Sequence, residues 1–316
     1  MTIIDAHCDV LGKLLLEPTL DFAGNDPSLD VTMPKLRQAG VLMQLFAIWI
    51  PERVDEPGFK HVLHSAELFR DKVVGQAGMA LVRTSEDLTR AAAGGTPGAM
   101  LTMEGADALA GSMERLRAAY DLGVRCLGLT WNYANWAADG VLEPRNGALT
   151  LKGRRLVAEC NAMGIIIDVS HLAERGFWEV AERSERPFVA SHSNVLELCG
   201  HPRNLNREQI RCIASRGGVI GINFFPPFLR TDGPAAIDDV VRHIETALEW
   251  GGDRAVGLGS DFDGIGSKVE GLEDPTGYEK LAEALAKRLT DEQTERVLYR
   301  NWYEFFVSEL PKTECN

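Results

Sequence analysis

The sequence predicts an α/β fold, a (β/α)8 barrel of the TIM type with extra helices at its C-terminal end, as a single domain over residues 1–316. Short apolar segments rich in branched residues recur along the chain, and stretches with helical periodicity separate them. The segments are almost uniformly apolar, which is typical of parallel strands covered by helices. Eight such units in about 300 residues favour a closed barrel.

A doubly wound parallel sheet is the structural alternative. Such a fold usually carries a glycine-rich phosphate-binding loop directly after its first strand. Here that position reads HCDVLGKLLL, which lacks both the early glycine and the Ser or Thr after the lysine. Neither an internal repeat nor a low-complexity linker divides the chain. The barrel is therefore the preferred interpretation.

The eight predicted strands alternate with predicted helices. The strands are expected at 2–7, 41–50, 98–105, 124–131, 164–171, 187–193, 217–225 and 255–263. Amphipathic runs that close on glycine, a common helix end, predict helices at 112–123 and 150–164. Similar runs predict helices at 172–184, 206–218 and 236–252. Two tail helices, at 277–289 and 291–310, are expected to pack across the wall or the base of the barrel.

Composition narrows the partners that we expect. A net charge of −13 argues against nucleic acid or an anionic membrane as the main partner. No secretory signal precedes the first strand, and no apolar run is long enough to cross a bilayer. The six cysteines show no C-x-x-C pairing, which suits reduced thiols. We expect a cytoplasmic protein that acts on a small molecule.

Residues of the types that bind metals cluster at the carboxyl ends of the predicted strands. They are His7 and Asp9 after the first strand, Glu104 at the third, His171 at the fifth, His192 at the sixth and Asp261 at the eighth. A single histidine at a strand end is more often a hydrogen-bonded core residue than a ligand. In a barrel, however, all these ends open on one face, where active sites lie. Imidazole and carboxylate together suit zinc or a similar divalent ion.

The size of this set predicts two metal ions. Five likely ligands among these six residues exceed what one zinc ion needs while it keeps an open position. A carboxylate on a central strand can bridge two ions, and Glu104 is the natural candidate. Two metals about 3.5–4 Å apart can hold a hydroxide between them and polarise a carbonyl. The pattern therefore points to hydrolysis of a carbon–heteroatom bond.

The chain resembles the renal or membrane dipeptidases of the amidohydrolase superfamily. The similarity runs in order through DAHCD, MEGAD, LGVRCLGLT, IIDVSH, SHSN, HPRNL and GSDFDG…EGLED. Each motif alone is weak, but the ordered set is highly specific. The resemblance implies a (β/α)8 barrel with a binuclear zinc centre that hydrolyses dipeptides, often with a D-residue at the C-terminal position, and it suggests a homodimer. We expect this chain to lack the secretion signal and the lipid-anchor tail of the family.

The resemblance also implies a role for each metal ligand. His7 and Asp9 would bind the first zinc ion, and His171 and His192 would bind the second. Glu104 and a hydroxide would bridge the two ions.

Three more roles follow from the resemblance. Asp261 would take a proton from the bridging water and deliver it to the leaving amine. Arg203 would receive the α-carboxylate of the substrate, a task that suits a planar bidentate donor. Asp263 is expected to support Asp261, because the two would share one face of a strand.

One position departs from the family pattern. The family reads LTH after its fourth strand, and that histidine is associated with polarising the substrate carbonyl. This chain reads LTWNYANW, so the position holds Trp131, whose indole offers one N–H and no acceptor. Either Trp131 or the adjacent Asn132 substitutes as the donor, or the site serves another substrate. Our hypothesis is that Trp131 shapes the wall of the substrate pocket.

Three functions remain open at this point. The first is a binuclear zinc dipeptidase. The second keeps the metals but acts on another amide or lactam that bears a carboxylate, and Trp131 motivates it. The third is a non-catalytic barrel that binds metal or a small ligand. Asp261 speaks against the third, because a binding protein has little need of a proton shuttle.

Overall fold

The computed structural model describes residues 1–50 and 58–313. Eight strands in these ranges form one parallel sheet, in the order β6-β5-β4-β2-β1-β8-β7, with β3 beside β4. The strands are β1 (Ile3–Asp5), β2 (Val41–Ile48), β3 (Ala80–Leu81), β4 (Gly98–Glu104), β5 (Val124–Gly128), β6 (Ile166–Asp168), β7 (Ile220–Ile222) and β8 (Val256–Leu258).

A short bridge joins the two ends of this sheet. Val189 pairs with Asp168 of β6, and Ala190 pairs with Ile220 of β7, both in parallel. The Val189 N–H donates to the carbonyl of Ile167 at 2.9 Å, which continues the ladder from β6. The sheet therefore curls round as the sequence predicts for a TIM-type barrel.

The observed strands are shorter than predicted, and two further details of the predicted strand set differ from the structure. The strand predicted at 187–193 shrinks to the Val189–Ala190 bridge, because the next main-chain N–H groups bond to side chains instead of a strand. Ser191 N donates to Asp168 Oδ1 at 3.0 Å, and His192 N donates to Ser170 Oγ at 3.1 Å. The additional strand, β3, was not predicted, because two residues are too few to show a periodicity.

Helices cover the outside of the sheet. They are α1 (Val10–Leu16), α2 (Met33–Ala39), α3 (Phe59–Leu68), α4 (Ser85–Gly94), α5 (Met113–Leu122), α6 (Leu151–Met163), α7 (Glu174–Arg183), α8 (Arg207–Ser215), α9 (Pro226–Leu229), α10 (Ile237–Gly251), α11 (Tyr278–Ala286), α12 (Asp291–Glu295) and α13 (Asn301–Glu309). A π-helical stretch at Phe69–Gln76 extends α3, and another at Arg296–Arg300 joins α12 to α13. Short 3-10 turns lie at Asp107–Leu109 and Pro275–Gly277.

The helix ends follow the signals in the sequence. Thr150 caps α6, because its hydroxyl accepts the N–H of Gly153 at 3.0 Å. The same helix stops at Gly164, whose φ of 74° lies in the left-handed region that glycine adopts without strain. Ser112 and Gly123 bound α5 in the same way.

The C-terminal helix closes the barrel from below. Trp302 and Phe306 of α13 pack in one buried cluster with residues near the starts of the strands, including Met43, Met100 and Ile166. Trp302 also donates its indole N–H to the carbonyl of Leu258 at 3.0 Å. Polar residues lie at the opposite end of the barrel, where the strands finish.

Two predictions from composition concern membranes and thiols. Among the described residues, none of the helices is long and apolar enough to cross a membrane. Cys8, Cys126, Cys160 and Cys199 are buried free thiols, and Cys212 is a partly buried one. Cys315 lies outside the described residues.

Candidate metal centre

Main-chain pairing beyond the strands brings the first ligand pair against the eighth strand. β1 ends at Asp5, but the chain continues alongside the segment after β8. Asp9 N donates to the carbonyl of Phe262 at 2.9 Å, and Asp261 N donates to the carbonyl of His7 at 3.2 Å. The structure thus places His7, Asp9 and Asp261 together at the carboxyl end of the barrel.

Glu104, the last residue of β4, lies between two groups of candidate ligands, the first with His7 and the second with His171 and His192. Its Oε2 is 3.8 Å from His7 Nε2. Its Oε1 is 2.7 Å from His171 Nε2 and 3.4 Å from His192 Nε2. One carboxylate therefore presents a different oxygen to each side, which is the arrangement that a bridging ligand needs.

The second group holds lone pairs that face one another. His171 and His192 direct their Nε2 atoms to the same point, 2.9 Å apart. His171 Nδ1 lies 3.0 Å from Asn132 Oδ1, which can only accept, so the proton of this ring is on Nδ1. Burial lowers the pKa of both rings well below the ordinary value, which keeps them neutral. A cation between these atoms would relieve the repulsion of their lone pairs.

The first group consists of His7, Asp9 and Asp261, and its hydrogen bonding is incomplete among the described residues. His7 Nε2 lies 3.3 Å from Asp9 Oδ2 and 3.8 Å from Asp261 Oδ1. His7 Nε2 and Asp9 Oδ1 are buried, yet within the described ranges neither has a hydrogen-bond partner. Burial lowers the pKa of His7, but Asp9 and Glu104 outweigh it and raise the pKa to about 10. Excess negative charge around this imidazole is what a bound cation would balance.

The donor set therefore fits divalent cations. Ligand atoms of His7, Glu104 and His192 lie within 4.8 Å of one another, and so do those of His7, Asp9 and Asp261. Imidazole nitrogen and carboxylate oxygen are the ligands that zinc prefers in catalytic sites. The structure brings all five predicted ligands and Asp261 to one end of the barrel.

Asp261 has a strained backbone and a perturbed carboxyl group. Its φ of 66° lies in the left-handed region, which is uncommon for a residue with a side chain. Its Oδ2 accepts a hydrogen bond from Asn223 Nδ2 at 2.8 Å. Burial, with smaller contributions from Asp9 and Glu104, raises the pKa of Asp261 to about 8. A carboxyl group with such a pKa can exchange protons near neutral pH.

Asp263 does not support Asp261, contrary to the prediction. Its φ of 68° is also left-handed, so the rule that residues i and i+2 share a face does not hold here. Its carboxylate accepts the N–H of Asp30 at 2.7 Å and that of Val31 at 2.9 Å. Lys13 Nζ pairs with it at 2.7 Å. Asp263 therefore anchors the turn to the 30–31 loop.

Gly264 is a site residue that the sequence did not reveal. A Cβ atom at this position would lie 2.1 Å from Asp9 Oδ2 and 2.8 Å from Asp261 Oδ1. Only a residue without a side chain lets the turn lie directly on the two carboxylates. Its place directly after Asp263 and three residues after Asp261 is the available signal.

Gly264→Ala should therefore disturb the metal centre. The methyl group would push Asp9 and Asp261 apart, and we expect the affinity for one ion to fall about 10–100-fold. Metal content after dialysis against a weak chelator measures this. Gly266→Ala is the matched control, because a Cβ there would have no neighbour within 4 Å. Equal metal content in the two variants would contradict the role of Gly264.

Trp131 borders the cavity above the ligands. This cavity has a volume of about 210 Å³, and Trp131, Trp49, Phe225, Phe228 and Ile265 contribute its apolar wall. The ring centroids of Trp131 and Trp49 are 5.3 Å apart, and Trp131 lies 6.1 Å from the ring of His171. Asn132 lies in the same cavity but uses its side-chain oxygen to hold His171.

Arg203 is buried beside the centre. Its Nη1 donates to the carbonyl of Ser170, and its Nη2 donates to the carbonyl of His192 at 3.1 Å. Its Nε is buried without a hydrogen-bond partner in the part of the chain that the structure describes. Its guanidinium lies 5.5 Å from the ring of Phe228, which lines the metal cavity. Arg203 itself lies behind that wall.

Comparison with known proteins agrees with this geometry. A family model described as membrane dipeptidase (peptidase family M19) matches residues 1–307. The chain belongs to this family. Membership confirms the predicted resemblance and the prediction of a metallo-dipeptidase enzyme.

Individual relatives of the family are moderately similar in sequence. An uncharacterised protein of Klebsiella pneumoniae, from the 5′ region of pqqA, is 41% identical over 211 residues, which are 63% of this chain and 78% of that protein. An uncharacterised dipeptidase of Schizosaccharomyces pombe is 38% identical over 193 residues. That match covers 60% of this chain but 47% of the yeast protein, so the chain spans about half the length of this relative.

Two solved structures cover almost the whole fold. The crystal structure of the dipeptidase AC, a metallopeptidase of family M19, superposes with a TM-score of 0.91 and 28% identity, over 99% of each chain. A metallopeptidase from Rhodobacter sphaeroides, bound to a phosphinate mimic of the dipeptide L-Ala-D-Ala, gives a TM-score of 0.88 and 27% identity. It covers 98% of this chain and 99% of that one. Both likenesses confirm the predicted fold class.

Proposed function

We propose that this chain hydrolyses small dipeptides, including those with a C-terminal D-residue, at a centre of two zinc ions. The observation that carries the proposal is Glu104, whose Oε2 faces His7 while its Oε1 faces His171 and His192. The mimic of L-Ala-D-Ala bound by the Rhodobacter sphaeroides neighbour supports the substrate class. When bound, two such ions supply an activated hydroxide and polarise the scissile carbonyl.

The residues around the centre would bind and orient the substrate. Asp261 would accept the proton of the attacking water and pass it to the leaving amine, since its carboxyl group faces the ligand cluster. Phe225 and Phe228 would exclude water from the reacting bond. Trp131 would form the wall that limits the size of the substrate.

A second candidate function is hydrolysis of another amide or lactam that bears a carboxylate. Trp131 favours it, because an indole stands where the family has a histidine near the carbonyl. Purified protein assayed on L-Xaa-L-Xaa, L-Xaa-D-Xaa and N-acylated dipeptides, with bound metal counted, separates the two. We expect turnover of free dipeptides and about two ions per chain. A zinc-loaded protein that cleaves only N-acylated substrates would support the second function.

Arg203 would bind the α-carboxylate of the substrate. The unpartnered Nε lies on the edge of the guanidinium that would receive a carboxylate once the Phe228 side chain, which stands between Arg203 and the cavity, moves aside. Arg203→Lys keeps the charge but loses this edge, so kcat/KM for free dipeptides should fall about 10-fold or more. Dipeptide amides, which lack the carboxylate, serve as the control substrates and should change much less. An equal loss on both kinds of substrate would remove Arg203 from this role.

The wall formed by Trp131 predicts a change in specificity. Trp131→Ala enlarges the cavity, so kcat/KM for dipeptides with bulky side chains should rise about 10-fold relative to alanyl-alanine. Metal content should stay the same. Trp178→Ala, a tryptophan on the exposed side of α7, is the matched control and should leave the ratio unchanged.

Trp131→His tests the substrate class through the same position. If the zinc-loaded natural chain cleaves no dipeptide while this variant does, the dipeptidase proposal is wrong for the natural chain. The amide or lactam function then takes its place.

A further inference from the structure

Behind the ligand His192 lies a chain of buried hydrogen bonds. His192 Nδ1 is 2.7 Å from Ser191 Oγ, and Ser191 Oγ donates to Asp168 Oδ2. All three residues are less than a tenth exposed. The hydroxyl proton of Ser191 is committed to the carboxylate, so its oxygen accepts the Nδ1 proton of His192. The Nε2 lone pair is thereby left to face Glu104 and the second ion site.

Asp168 reaches His192 by a second route through the main chain. Ser170 Oγ donates to Asp168 Oδ1 at 2.6 Å and accepts the N–H of His192 at 3.1 Å. Asp168 Oδ1 also accepts the N–H groups of Ser170 and Ser191, both at 3.0 Å. One buried carboxylate thus fixes both the ring and the backbone of His192.

The other ligand of this ion site is held differently. His171 Nδ1 bonds to the side-chain amide oxygen of Asn132, a neutral acceptor. A hydroxyl that is itself bonded to a carboxylate is a stronger acceptor, because bonds in such a chain polarise one another. The imidazole of His192 is therefore the more electron-rich ligand of the two.

We propose that Asp168 and Ser191 are positioning residues of the metal centre, which fix the tautomer of His192 and strengthen its bond to the second ion. The inference rests on the two-ion centre proposed above. It extends that centre to two residues that touch neither ion nor substrate. Hydrogen-bond partners of metal-bound histidines commonly contribute a factor of about 10–100 to metal affinity.

Three variants test the hydrogen-bonded chain from Asp168 through Ser191 to His192. The readout is zinc affinity, measured by competition with a chromophoric chelator. Ser191→Ala and Asp168→Asn should each raise the dissociation constant of one of the two zinc ions about 10–100-fold. The double variant should lose less affinity than the sum of the two single losses, because Asp168 acts on the ring through Ser191 and on the backbone of His192 through Ser170. Ser193→Ala is the control for affinity, since its hydroxyl lies 3.5 Å from Arg203 Nη1 and, among the described residues, makes no hydrogen bond to an imidazole.

The cobalt-substituted protein gives a second readout. The visible absorption bands of one of its two ions should change in Asp168→Asn, even if Ser191→Ala fails to fold. A natural chain that holds two zinc ions, beside single variants that hold both with unchanged affinity, would overturn this inference alone. A natural chain that binds fewer than two ions would overturn the two-ion proposal and this inference together.

Discussion

Glu104→Gln should abolish the paired binding of metal and lower kcat about 10³-fold or more. The substitution replaces one carboxylate oxygen by an NH2 group, which has no lone pair to offer a metal ion. Either His7 or the pair His171 and His192 would lose its oxygen neighbour. Loss of several kcal/mol of transition-state stabilisation corresponds to this factor, since each 1.36 kcal/mol is about tenfold.

Metal content by atomic emission and the rate of dipeptide hydrolysis measure the effect of Glu104→Gln. Asp107→Asn is the matched control for the ion count, because this carboxylate lies three residues further along and bonds to Asn135 Nδ2 at 3.1 Å. Far-ultraviolet circular dichroism should be unchanged in both variants. A Gln variant that keeps two ions and normal turnover would refute the bridging role of Glu104.

Asp261→Asn should lower kcat about 10²–10⁴-fold while the metal content stays the same. Asparagine is the best probe here, because it tolerates the left-handed backbone of this position better than most residues. Its side-chain oxygen can still accept the hydrogen bond from Asn223, now 2.8 Å from Asp261 Oδ2. The substitution therefore removes the proton acceptor and little else. Near-normal kcat with two bound ions would take this role away from Asp261.

Asp263→Asn is the matched comparison, two residues along the same turn. Its carboxylate holds two main-chain N–H groups and Lys13, so neutralising it costs stability rather than chemistry. Charged hydrogen bonds of this kind contribute about 1.5–3 kcal/mol each. We expect a lower Tm with kcat close to that of the natural chain below the transition. A fall in kcat as large as that of Asp261→Asn would mean that the turn, and not the proton, limits the rate.

The convergence of these side chains could be predicted from the sequence because one physical rule decides it. Parallel strands of a barrel all end on one face, so polar residues that follow apolar runs must converge there. His7, Glu104, His171 and His192 each obey this rule without knowledge of any contact. The strand at 187–193 was overestimated, yet His192 is still placed correctly, because the Val189–Ala190 bridge runs in the same direction.

The residues that the sequence did not reveal depend on backbone angles and rotamers. Asp263 turns away from the site because both acidic residues of the turn have positive φ, which a strand pattern does not predict. The bonds of Ser191 and Asp168 depend on the register between β6 and the bridge segment. The sequence signal for these two residues is their position: Ser191 lies one residue before His192, and Asp168 lies three residues before His171.

The main-chain hydrogen bonds between the end of β1 and the segment after β8 influence the order in which the chain folds. Asp9 N bonds to Phe262, and Asp261 N bonds to His7, so the first ion site joins residues more than 250 positions apart. Contacts at such separation form late, since the loop-closure entropy of the whole barrel must be overcome first. Glu104, His171 and His192 can meet before residue 261 has left the ribosome. We therefore expect the candidate centre to be completed late in folding, and a shortened product that ends before β8 keeps all five predicted ligands but lacks Asp261 and the hydrogen bonds that hold His7 and Asp9 in place.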